Sequence, residues 1–137
     1  MESNLEQSKD INSLAMIKAI VQRDNNKKEE ILKERDIKVL SVVDQEDIKK
    51  MKTAYKEAVD RNSMVIDFIV DIKNDILKIK LVKDKLDRTL NIYLQQAKAI
   101  DEYIKILNDM LSIMRDEKDK LYRVVQYYEK VYSNYNY

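Results

Sequence analysis

In 137 residues there is not one Gly and not one Pro. Tight turns lean on these two, Gly for positive φ and Pro for a pre-set φ. An all-β fold needs many such turns, so the chain is expected to be all-α, with long helices and few connections. Its abundant Lys, Leu, Glu, Met and Gln are good helix formers.

Cys, His and Trp are missing as well. P-loops, dinucleotide-binding turns and EF-hand loops need Gly and are excluded. A standard zinc site lacks its His and Cys ligands. A Ser nucleophile lacks its His base, and a di-iron centre lacks its Glu-x-x-His motifs. Asp67, Asp71 and Asp75 recur every four residues, which reads as a solvated stripe with i,i+4 pairs. The expectation is a non-enzyme with no cofactor, no metal and no small-molecule substrate.

The 26 basic and 25 acidic side chains leave a net charge of +1, which neither demands nor forbids an acidic polymer as partner. Lys49, Lys50, Lys52 and Lys56 cluster with no acid until Glu57, so a nucleic-acid-associated coiled coil using residues 49–56 is one reading. Arg, the usual reader of bases, numbers only 6 against 20 Lys, which disfavours it. The first ten residues carry Glu2, Glu6 and Asp10 against Lys9, unlike a secretory signal. The greasiest stretch, 64–72, is broken by Asp67 and Asp71 and is far short of the ~20 apolar residues of a membrane span. A place in the cytoplasm, or within a virion or other large assembly, is expected. Ile, Lys, Asn and Tyr make up 55 of the 137 residues, a bias associated with AT-rich coding in low-GC bacteria, phages and large DNA viruses.

From Ile48 onward apolar residues recur at spacings of 3 and 4 without a slip. The a positions run from Ile48 to Tyr132 and the d positions from Met51 to Tyr135. Of these 26 positions 23 are apolar, against 20 of the 62 others in the span, so the seam is real. Its centre is Ile69, Ile72, Ile76, Ile79, Leu86, Leu90, Ile100, Ile104, Leu107 and Leu111. A loop between two helices would keep heptad phase roughly one time in seven. The spacing therefore predicts one helix over about 45–133, roughly 130 Å long. Its start is expected at Asp44, a capping residue followed by Gln45, Glu46 and Asp47, with Val43 and Ile48 as a hydrophobic staple. Two polar stretches, 60–63 and 115–120, are places where it could break. Residues 1–43 form a separate N-terminal segment, with short helices at about 8–22 and 27–41 and a polar loop at 23–28. The rod with its Tyr-rich end covers 44–137.

The g positions are also apolar at Ala54, Phe68, Val82, Tyr103, Met110, Val124 and Val131, so the buried face is wider than a dimer seam. Three or more helices in cross-section are expected, from a homo-oligomer or from a chain folded back on itself. Ile92, Ala99, Ile106 and Ile113 extend the apolar surface to c and predict that 90–114 is the most enclosed segment. Asn62, Lys83 and Lys118 are the polar exceptions on the seam and the register candidates: a polar a residue can pair across chains, and a Lys can instead snorkel its charge outward. Near the end, Tyr128 falls on the seam, as do Tyr132 and Tyr135, while Tyr122, Tyr127 and Tyr137 fall off it. Tyr is favoured in interfaces, so Tyr122, Tyr127, Tyr132, Tyr135 and Tyr137 are candidate docking residues for another protein. The pattern reads as a coiled-coil structural or scaffold protein. An alternative is a small helical adaptor or inhibitor that covers its apolar stripe with a partner.

Overall fold

The structure is a computed structural model that describes the backbone of residues 2–33 and 45–135, and side chains over 13–33 and 49–131. The described residues are all-α: three helices, α1 (Glu2–Lys33), α2 (Gln45–Asp84) and α3 (Tyr93–Tyr135), pack on one another. The packing order follows from pairs that cross between elements. Tyr55, Arg61 and Lys83 of α2 meet Glu129, Glu117 and Asp101 of α3, so α2 and α3 are antiparallel. Arg23, Lys27 and Ile31 of α1 meet Asp75, Phe68 and Arg61 of α2, so α1 is antiparallel to α2.

The single helix over 45–133 is therefore corrected to a hairpin. The two suspected breaks are helical, and the chain turns at 85–92 instead. The last amides of α2 tighten, with Lys85 N donating to Leu81 O and Val82 O and Leu86 N to Lys83 O. Asp87 then organises the turn. Its Oδ1 accepts from Thr89 N at 2.9 Å and from Thr89 Oγ1 at 2.6 Å, an Asx turn that replaces the missing Gly chemistry. No described residue has a positive φ. The chain turns without Gly by taking a longer route. Leu86 and Tyr93, the d residues on either side, are seven positions apart, so heptad phase survives the turn. At 1.5 Å per residue α2 and α3 are each roughly 60–65 Å long, half the length of the expected rod.

The N-terminal helix is likewise continuous rather than two short pieces, and 23–28 is helical. Leu14, Ile17, Val21, Asp24, Lys28 and Ile31 lie at alternating 3 and 4 spacings and are buried or half-buried. Asp24 and Lys28 interrupt that stripe, which is why it reads as a loop. The expected cap at Asp44 and the residues 34–43 lie outside the described residues, although α2 does begin at Gln45.

The core sits on the rows that the spacing assigns. Met51, Ala58, Val65, Ile72, Ile79 and Leu86 on α2, and Ile100, Leu107, Met114, Leu121 and Tyr128 on α3, are all buried d residues. Ile69, Ile76 and Leu111 at a are buried, and Leu90 and Ile104 are half-buried. All ten central seam residues are thus at least half-covered within one chain. The third helix in cross-section is the chain's own α1, which lies along the g rows. The expectation that 90–114 is the most enclosed segment fails at c: Ile106 and Ile113 remain 43% and 39% exposed, because α1 covers g and leaves c open.

Candidate functional site

Among the described residues, five that are polar or charged are buried: Asp24 on α1, Arg61 and Asp75 on α2, and Gln96 and Glu117 on α3. The last four all occupy g positions, in the same rows as the buried Phe68 and Met110. Arg61 and Asp75 meet α1 directly, through Ile31 and Arg23, and Glu117 meets Arg61. Reading the g rows for apolar residues alone misses them; the signal was a polar residue in a row otherwise apolar. Asp75 is a specific correction, because the spacing grouped it with solvated Asp67 and Asp71. Those two are exposed, and Asp75 is 4% exposed.

Arg61 ties three helices together. Its Nη2 donates to the carbonyl of Ile31 on α1 and lies 3.3 Å from Glu117 Oε1 on α3. Both side chains of this pair are more than nine-tenths buried. A buried charge is tolerable only when paired and hydrogen-bonded, and here one guanidinium meets a carboxylate and a helix carbonyl. Gln96 is less well provided: neither of its amide atoms has a partner among the described residues. That leaves a desolvation cost on the first turn of α3.

A second cluster joins α1 to α2. Arg23 Nη2 is 2.9 Å from Asp75 Oδ2 and 3.5 Å from Asp24 Oδ1. A groove of about 420 Å³ runs beside them, lined also by Lys27, Phe68 and Lys78. Burial pushes the Asp24 carboxyl up to about 7, the hydrogen bond and charge of Asp75 push the same way, and Arg23 opposes them. A protonated Asp24 can donate to Asp75, which two carboxylates cannot do. An acid that titrates near neutrality can serve proton transfer. At 2% exposure, however, Asp24 is turned into the helix interface, so a substrate has little access to it.

The register candidates separate. Lys83 Nζ donates to Asp101 Oδ1 at 2.7 Å, across the α2–α3 hairpin, and this bond holds its ammonium above the ordinary range while burial pulls it down. The Lys does meet a carboxylate, in the same chain. Asn62 and Lys118 are half-buried and line one groove of about 350 Å³ with Ile66, Asp119 and Tyr122. Asn62 Oδ1 is buried there without a donor among the described residues.

At the far end of the hairpin, Tyr128 is fully buried and stacks edge-on against Tyr55 and Tyr127, at 6.4 and 5.7 Å between ring centroids. Tyr55 also donates to Glu129 Oε1 at 3.2 Å. Tyr122 and Tyr127, the two off the seam, are 55% and 42% exposed. The side chains of Tyr132, Tyr135 and Tyr137 lie outside the described residues. The clustered Lys49, Lys50, Lys52 and Lys56 are all exposed on the first turns of α2.

The outer surface carries two further apolar rows. Ile66, Val70, Leu77 and Leu81 of α2 are 42–59% exposed and fall within an arc of roughly 60° at 3.6 residues per turn. On α3, Ile106 and Ile113 lie along c beside half-buried Ala99. No described helix is long and apolar enough to cross a membrane. No family model, curated protein or solved structure matches this chain.

Proposed function

We propose that the protein is a non-catalytic helical assembly module, which works by presenting apolar rows on the outside of a closed three-helix bundle to other protein surfaces. The observation that carries this reading is the row Ile66, Val70, Leu77 and Leu81. The chain already uses its a, d and g rows for its own core, and this row is left over. Single exposed apolar residues are ordinary on protein surfaces; four aligned along about four turns of one helix face are the pattern of a contact site. The exposed Tyr122 and Tyr127 extend the contact-forming chemistry to the end of the hairpin. A rod-like scaffold made of one continuous helix is replaced here by a bundle half as long.

The test is the double variant Leu77→Asp with Leu81→Asp. Both positions are more than half exposed, so helix content and urea midpoint should stay close to the parent's. The size of the native complex, read by sedimentation of the purified chain and by cross-linking in its native extract, should fall to that of the monomer. A parent that is monomeric in both settings, with a variant that behaves identically, would rule the reading out.

A further inference from the structure

We infer that the outer face of α2 docks onto the outer face of α3 in a second copy of this chain. This rests on the reading that the exposed rows are contact surfaces, and it names what covers them. The argument is charge complementarity. Lys73 and Lys80, seven residues apart and both exposed, run along the edge of the α2 row. Glu102, Asp109 and Asp116, also spaced by seven and exposed, run along the edge of the α3 row. None of these five side chains has an ion-pair partner among the described residues. They are charges that the fold itself leaves unused.

The two ladders match in step. Seven residues of helix rise about 10.5 Å, so two lysines can face two of the three acids while the apolar rows lie side by side. The rows match in length too, about 21–23 Å from Ile66 to Leu81 and from Ala99 to Ile113. Opposite charges are present beside both ladders. Asp84 ends the α2 row and Asp67 lies further round that helix. On α3, Lys98 and Lys120 bracket the acids, and exposed Lys105 lies between Glu102 and Asp109 on the side away from the apolar row, so the acids are the charges next to that row. Other pairings of the same faces are disfavoured. Packing α2 on α2 sets lysine against lysine, and α3 on α3 sets acid against acid, which costs affinity directly.

The geometry also dictates the symmetry. The α2 row occupies e, b and f, away from the g row that α1 covers, whereas the α3 row occupies c and f, next to its g row. The donor and acceptor faces are therefore different surfaces of one molecule. A contact between them is heterologous, and it repeats from copy to copy until it closes a ring or grows as a filament.

Sedimentation velocity of the full chain tests this. The parent should gain mass as concentration rises, and salt should weaken the gain. Lys73→Glu with Lys80→Glu should abolish it, and so should Glu102→Lys with Asp109→Lys and Asp116→Lys. An equimolar mixture of the two variants should assemble again, because each now complements the other at both faces. Circular dichroism and urea midpoints near the parent's establish that the variants are folded. Rescue by mixing supports the α2-to-α3 contact. Association of either variant alone, or failure of the mixture to assemble, overturns it. A parent that stays monomeric throughout also overturns it. If Leu77→Asp with Leu81→Asp then still disrupts a complex with a different protein, the wider reading of the rows as contact surfaces survives.

Discussion

Along the seam between α2 and α3, every d residue from Met51 to Leu86 and from Ile100 to Tyr128 is buried and apolar. Along the interface with α1, the buried residues are mixed: Ile17, Val21 and Ile31 alternate with Asp24, and they meet Arg61 and Asp75. The two interfaces use the same helical geometry with different chemistry. An apolar seam is strong and indifferent to a slip of one heptad, because any slip by seven returns apolar to apolar. Paired charges are the reverse. Arg61 must find Glu117 and the Ile31 carbonyl, and Arg23 must find Asp75, so a slipped α1 leaves charges buried alone. The seam supplies cohesion, and the α1 interface supplies register.

Three experiments sharpen this contrast. The largest effect is expected from Glu117→Leu, which strands Arg61 in the junction of three helices and should cost about 3–5 kcal/mol. Pairing it with Arg61→Met should recover most of that loss in urea denaturation. If charge sets register, amide exchange in the double variant should quicken in α1 while α2 and α3 stay protected. Uniform protection in all three helices would show that the apolar contacts alone position α1.

Next comes the seam. Leu107 is fully buried, and Leu107→Ala should cost about 2–5 kcal/mol through lost burial and the cavity left behind. Because the seam supports both long helices, this loss should appear as one cooperative transition, with α1 unfolding together with α2 and α3. A separate early transition for α1 would mean that the two interfaces are energetically independent.

The smallest effect is a change of slope. Asp24 titrates at about 7 in the fold against 3.8 when unperturbed. Between those values the folded chain holds a proton that the unfolded chain has lost, so its contribution to stability is full below the lower value. That contribution declines as pH rises and is gone above about 7. Asp24→Asn should flatten this part of the urea-midpoint profile and make the variant the more stable of the two above the window. An unchanged slope would remove Asp24 as its source.

Much of this architecture was legible in advance. The a and d rows, the wider g face and the start of α2 are local consequences of helical periodicity. The hairpin was not legible, because the turn at 85–92 happens to place Leu86 and Tyr93 seven residues apart. Phase continuity then mimics helix continuity. Asp87 and Thr89 were the available signal, a side-chain acceptor two residues before an amide and a hydroxyl, and a lone Asp-x-Thr is too common to outweigh an unbroken heptad. The α1 stripe was hidden by Asp24 and Lys28, and the buried Asp75 by its exposed neighbours Asp67 and Asp71.

Composition and spacing alone determined that this chain is helical, and which rows of α2 and α3 are apolar. Both follow from forces acting within a few residues: the absence of Gly and Pro, helix propensity, and the 3.6-residue turn. What covers those rows was decided by the tertiary structure. Closing an eight-residue connection costs little entropy compared with the apolar surface that two facing helices bury, so the chain folds back on itself. The same choice brings α1 onto the g rows and turns Arg61, Asp75, Gln96 and Glu117 inward. Periodicity reports which side of a helix is apolar, and only long-range packing determines which neighbour that side meets.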